Sequence, residues 1–258
     1  MKSIWTGAIG FGLVNIPVKL YSATKEHEID LDMLDKKDHS HIRYQRVNEN
    51  TGKEVPWENI VKGYKIDDRY IVLTDEDFAK ASPEKSKTIE IFDFVREQEI
   101  DSLFFETPYY LEPQKSGEKA YVLLREALKK SAKVGLGNYV LRNKENLCII
   151  KPVDHAIVLV KIRFAQEIRN INELNIPGNI QVKPGELKMA LSLIDQLTTP
   201  FNIKKYKDTY TDALLKLIHN RAKGKKISTP HMRVVHSNTR DLMSQLKASL
   251  QQKKKKAS

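Results

Sequence analysis

VGLGNYVL (residues 134–141), LCIIKP (147–152) and AIVLVKIRF (156–164) are the stretches whose reading decides the fold of this chain. Each is a short run rich in β-branched, aromatic and aliphatic residues, with polar residues at turn length between them. Strands this short and this closely spaced predict an antiparallel barrel or sandwich, not a parallel sheet. Immediately upstream, Gly117 to Ala132 reads as a helix. Ala120, Leu123, Leu124, Ala127 and Leu128 repeat at helical spacing, opposite Lys119, Glu126, Lys129 and Lys130.

Further strands are expected at Thr88 to Val95 and at the aromatic-rich Phe104 to Leu111. Near the N-terminus, Gly10 to Tyr21 reads as a strand whose Pro17 requires an edge or bulge position. Between these lie an extended stretch Ile42 to Val47, a turn at Asn50-Thr51-Gly52, and a strand Tyr70 to Leu73. A helix start follows at Thr74, which acts as cap with Asp75, Glu76 and Asp77 in the first turn. After Pro177-Gly178 the period changes: Glu186 to Leu197 and Tyr206 to Ala222 are amphipathic helices, the second stopped by Gly224. Residues 224–258 read as a flexible basic tail with one short helix at 239–250.

The charge is unevenly spread. Of the formal net +11, the segment from His219 to Ser258 holds +10, with eleven Lys/Arg against the single acid Asp241. The body is therefore nearly neutral, and any polyanion contact by it depends on local placement of cations. The lone Cys148 sits in an apolar run and reads as a buried structural thiol of a reducing compartment. The apolar N-terminal stretch is broken by three glycines, Asn15 and Pro17, unlike a signal peptide. No run of about 18 apolar residues is present, so no membrane span is expected.

A search for chemistry yields structural readings. Gly7, Gly10 and Gly12 imitate a phosphate loop but lack its spacing, preceding strand and following helix. His39 and His41 have no companion ligands. Asp75 to Asp77 resemble a metal-nuclease cluster but stand where a helix N-terminus favours negative charge. No serine has a nucleophile-elbow context. The expectation is a protein that is not an enzyme, with no catalytic residue, metal or cofactor.

Several longer motifs carry a resemblance: residues 3–24 (SIWTGAIGFGLVNIPVKLYSAT), 61–64 (VKGY), 72–78 (VLTDEDF), 109–113 (YYLEP) and 117–128 (GEKAYVLLREAL). Over about residues 2 to 223 the chain resembles bacterial Ku proteins. The resemblance implies a mixed, mainly β fold: an antiparallel β-barrel core with a DNA-encircling arm at about 36–90 and helices at about 185–223. Two subunits would form a ring-shaped homodimer. It also implies sequence-independent binding of double-stranded DNA ends in non-homologous end joining, an ATP-dependent DNA ligase as partner, and a cytoplasmic, nucleoid-associated location in a bacterium.

Backbone contacts suit that role, because a protein that accepts any end must not read bases. The arm offers Lys36, Lys37, Arg43, Arg46, Lys53, Lys62, Lys65 and Arg69, against six acids between Lys36 and Arg69. Half of such residues would ordinarily be plain solvated surface, and which cations share a face is a question for tertiary structure. Lys133, Arg142 and Lys144 bracket strands and are candidates for the bore of the ring, whereas Lys119, Lys129 and Lys130 suit the outer side of their helix. In the tail, Leu242, Leu246 and Leu250 form a narrow stripe fit for a groove on a partner, with docking on the protein's own core as the alternative. Lys253, Lys254, Lys255 and Lys256 suit non-specific phosphate attraction, or solubility alone. Two other functions compete: a general nucleoid- or RNA-binding protein acting through the tail, and a divalent-metal nuclease using the acids near Asp75.

Overall fold

The computed structural model describes residues 1–25, 29–81, 87–142, 144–178 and 180–225. The chain divides into two compact units, one holding Met1–Glu26 and Leu31–Asn170, the other His27–Asp30 and Ile171–Ser258.

The first unit is built on a closed barrel of seven strands. These are β1 (Trp5–Phe11), β2 (Val14–Ser22), β5 (Thr88–Val95), β6 (Phe105–Pro113), β7 (Val134–Leu141), β8 (Lys144–Val153) and β9 (Ala156–Ile162), in the order β1-β2-β6-β9-β8-β7-β5. A small hairpin of β3 (Lys62–Ile66) and β4 (Arg69–Leu73) lies between β2 and β5 in sequence. Six barrel pairs are antiparallel, as expected, and the seventh, β1 with β5, is parallel. Parity demands this: strand directions cannot alternate all the way round a ring with an odd number of members. Parallel neighbours need a long connection, and here residues 23–87 between β2 and β5 supply it.

The glycines near the N-terminus serve this closure. A Cβ at Gly7 would lie 2.1 Å from the Lys87 carbonyl oxygen, so only glycine lets β5 approach β1. Gly12, at φ +56°, turns β1 into β2. The expected strand from Gly10 is therefore two strands, with the turn inside it. Pro17 lies opposite Ala8 of β1 and one residue before the β2–β6 ladder begins at Val18; on that side its carbonyl accepts the Gln114 N–H at 2.9 Å, and in a closed barrel the expected edge position does not exist.

Apolar side chains fill the barrel. Ile9, Ile16, Val18, Leu20, Ile89, Cys148, Ile150, Ile157 and Leu159 are fully buried. The helix α2 (Glu118–Ser131) packs Tyr121, Leu124 and Leu128 onto this core. Its Tyr121 hydroxyl donates to the Leu111 carbonyl at 2.6 Å and accepts the Ile157 N–H at 2.6 Å, and burial raises its pKa. Burial likewise pushes the Cys148 thiol well up, in line with a structural thiol. A second apolar cluster lies on the other side of β7, β8 and β9: Val134, Ile149, Val158, Val160 and Ile162, with Val95, Ile100, Phe104 and Phe105 packed against it. These strands are apolar on both faces, which is why they read as continuous apolar runs.

Residues 31–80 contain no buried residue. Local devices shape this segment, which holds most of the expected arm at about 36–90 and is called the arm below; residues 88–90 of that range belong to β5. The β3–β4 turn has Asp67 at φ +51°, and α1 (Asp75–Ala81) begins with Thr74 and Asp77 exchanging hydrogen bonds of 2.7 to 3.3 Å. Ile42 to Val47 is not the expected strand; only Val47 joins a bridge, to Glu54, because the chain reverses at Asn48–Gly52 before a ladder can extend.

In the second unit, α3 (Pro184–Leu197) opens with a proline and with the Glu186 carboxylate accepting the Lys183 N–H. The other helix, α4 (Thr209–Ala222), starts three residues later than the apolar pattern suggests, because Asp208 caps the N–H groups of Tyr210 and Thr211. Leu187, Leu191, Ile194 and Leu197 of α3 are exposed.

Candidate nucleic-acid interface

The eight arm cations are all exposed, and among the described residues none is in an ion pair. Lys36 and Lys37 lie in a turn tied by the Lys37 N–H to Asp35 and closed by a bridge between Leu34 and His41. Arg43 lies between that bridge and the next. Arg46 opens a second small hairpin: its carbonyl accepts the Val55 N–H at 2.8 Å, and its guanidinium lies over the Trp57 ring, 4.6 Å from the centroid. Lys53 stands in the turn of that hairpin, where its carbonyl accepts the Asn48 N–H.

The β3–β4 register sorts the remaining three. Lys62 pairs with Leu73, Lys65 with Tyr70 and Ile66 with Arg69. Side chains alternate along a strand, so Lys62 and Arg69 share one face with Tyr64, Ile66 and Ile71. Lys65 is on the other, with Tyr70 and Val72. The Lys62 ammonium lies 4.8 Å from the centroid of Phe78 on α1. Neither Trp57 nor Phe78 stands out in the sequence. An aromatic several residues from a cation becomes its neighbour only through the turn between them.

On the barrel, strand directions separate the other three candidates. Residues 23–87 leave and re-enter at the end where β2 finishes and β5 starts. Antiparallel order puts the β7–β8 turn at that end, so exposed Arg142 and Lys144 lie at the root of the arm, together with Lys87, an exposed cation that the sequence pattern does not single out. Lys133 is at the opposite end beside α2, roughly 25 Å away along β7.

The outer cations of the barrel contrast with those of the arm. Lys151 pairs with Glu97, Lys161 with Glu106 at 3.0 Å, and Arg125 with Glu126 at 2.9 Å. The Arg125 hydrogen bond is the main cause of the lowered Glu126 pKa. Lys129 donates to the Asp154 carbonyl, and Lys119 and Lys130 are exposed on α2, as expected for its outer side.

Leu242, Leu246, Leu250 and Lys253 to Lys256 lie outside the described residues, as does the expected helix at 239–250. Among the described residues no three His, Cys, Asp or Glu side chains group to hold a metal, and no helix is long and apolar enough to cross a membrane. Asp77 is engaged with Thr74, whose backbone N–H lowers its pKa, so the acidic run behaves as a helix start.

The family model described as the Ku70/Ku80 beta-barrel domain matches residues 10–189. This chain belongs to the Ku family. It is 40% identical to the non-homologous end joining protein Ku of Coxiella burnetii, over 98% of this chain and 96% of that one. It is 41% identical to the protein of the same name from Bacillus subtilis, over 97% and 82%, and 39% identical to that of Archaeoglobus fulgidus, over 97% and 99%. The Ku family match runs from the last residues of β1 through β2 to β9 and α2, and includes residues 23–87 between β2 and β5.

Proposed function

We propose that this chain binds the ends of double-stranded DNA without regard to sequence in non-homologous end joining. Two copies would close a ring around the duplex and recruit an ATP-dependent DNA ligase. The observation that carries the reading is the arm: eight exposed cations, none of them in an ion pair among the described residues, on a segment without a core, in a chain that aligns with relatives named for end joining over nearly its whole length. Unpaired cations on an exposed segment suit the phosphate backbone, and contacts to phosphate carry no sequence information.

The barrel itself admits no duplex, because its interior is filled with side chains. DNA must pass outside it, and a closed ring then needs the arm and a second copy. The exposed apolar side chains of the arm (Tyr44, Tyr64, Tyr70) and of α3 are what such a copy would cover, and a two-fold pair would do so reciprocally. Arg142 and Lys144 at the root of the arm are the barrel cations best placed to line the bore; Lys133 is the least. Leu242, Leu246 and Leu250 would present the stripe for the ligase, and the lysines at 253–256 would add non-specific attraction.

The ring is tested by retention. Linear duplex should be held stably, and a covalently closed circle of the same sequence should not; equal retention on both refutes threading. Deleting residues 226–258 should weaken binding yet preserve the preference for ends. Complete loss of binding in that variant would favour a nucleic-acid-binding protein acting through its tail.

A further inference from the structure

We infer that Trp57 is a positioning residue for Arg46: it holds the guanidinium on the arm in one orientation, with its N–H edge free for a DNA phosphate. The inference deepens the proposed DNA-binding function and rests on it.

An exposed arginine on a segment without a core has many rotamers, and freezing them on binding opposes affinity. The arm removes part of that freedom before DNA arrives. The Arg46 backbone is tied down, since its carbonyl accepts the Val55 N–H at 2.8 Å and the next residue bridges to Glu54. Pro56, at φ −58° and ψ 150°, then directs the chain into a short 3-10 turn at Trp57–Asn59, which brings the indole back beneath residue 46. The guanidinium carbon lies 4.6 Å from the ring centroid, at stacking distance.

Two further features fit a ligand contact. Glu54, a carboxylate of the same hairpin, accepts a hydrogen bond from the Gln45 amide at 2.7 Å, and among the described residues Arg46 makes no ion pair. Its charge is therefore not spent within the arm. Trp57 itself is 69% exposed, so the stack does not serve to bury an apolar core residue. A guanidinium resting on a ring face keeps its N–H donors pointing outward from its edge, which is the geometry that phosphate takes in pairs.

The test is a double-mutant cycle on the full-length protein, reading affinity for a short blunt linear duplex across about 50 to 200 mM salt. Arg46→Ala should lower affinity and flatten the salt slope by about 0.9 for each phosphate that the side chain had neutralised. Trp57→Ala should lower affinity about two- to fivefold, because the stack is gone, and flatten the slope in the same direction. In the Arg46→Ala background it should have no further effect, and Trp57→Phe should restore affinity to within about twofold. Additive effects in the double variant would mean that Trp57 stacks on DNA or shapes the arm by itself, and would overturn the inference. An unchanged affinity in either single alanine variant would overturn it too. If the unaltered protein fails to hold linear duplex at all, the proposed function fails first, which separates the two outcomes.

Discussion

The barrel and the arm are made from the same kinds of residue and put them to opposite uses. In the barrel, leucines, isoleucines and valines reach zero exposure and the nearby cations Arg125, Lys151 and Lys161 lie against carboxylates. In the arm, Tyr44, Val61, Tyr64 and Tyr70 remain two-thirds exposed or more, and among the described residues no arm cation has a carboxylate partner. The barrel has a buried core of its own. Among the described residues the arm has exposed apolar surface and no ion-paired cation, the features that the proposed DNA and second copy would satisfy.

The largest expected effect tests whether that division of stability is real. Leu159→Ala should cost about 2–5 kcal/mol of unfolding free energy in a denaturant titration, because it opens a cavity in a filled barrel. Tyr70→Ala, on the arm, should change the same measurement by no more than about 0.5 kcal/mol at protein concentrations too low for two copies to pair, since within one chain Tyr70 is exposed. A destabilisation at Tyr70 as large as that at Leu159 would mean that the arm is covered in solution, as a second copy would cover it.

A smaller effect sharpens the charge side of the contrast. Neutralising Lys62 and Arg69 together should flatten the salt slope of duplex binding by about 0.9 for each of them that meets a phosphate. Lys65→Gln, on the opposite face of the hairpin, should act alone or not at all. If all three contribute equally, DNA does not lie against one face of β3 and β4. The smallest effect belongs to the barrel: Lys151→Gln, which breaks the pair with Glu97, should leave duplex affinity unchanged and lower stability by no more than about 1 kcal/mol. A drop in affinity equal to that of an arm variant would erase the distinction.

Much of the architecture is legible in the sequence, and the reasons are local. Thr88–Val95 and Val134–Leu141 can be read to the residue because turn chemistry flanks each of them, and the Thr74 cap is legible because a capping residue and its acids lie within one turn. Sequence patterns mislead where a nonlocal partner decides. Gly10 to Tyr21 conceals a hairpin that turns at Gly12, and a Cβ at Gly7 would collide with the carbonyl of Lys87, eighty residues on, as well as with Trp5. Ile42 to Val47 has a strand's composition but no strand to pair with.

Sequence by itself thus determined β4 to β9, the helices α1 to α4, the family and the concentration of charge in the tail, because each follows from neighbours along the chain or from motifs that survive without coordinates. Only the tertiary structure decided that the barrel closes through a parallel pair and that its bore is filled. It also decided that Lys133 stands apart from Arg142 and Lys144, that Lys62 and Arg69 share a face, and that Arg46 rests on Trp57. Strand order, register and turn geometry set these relations, and they bring together or separate residues whose distance in sequence carries no information about their distance in space.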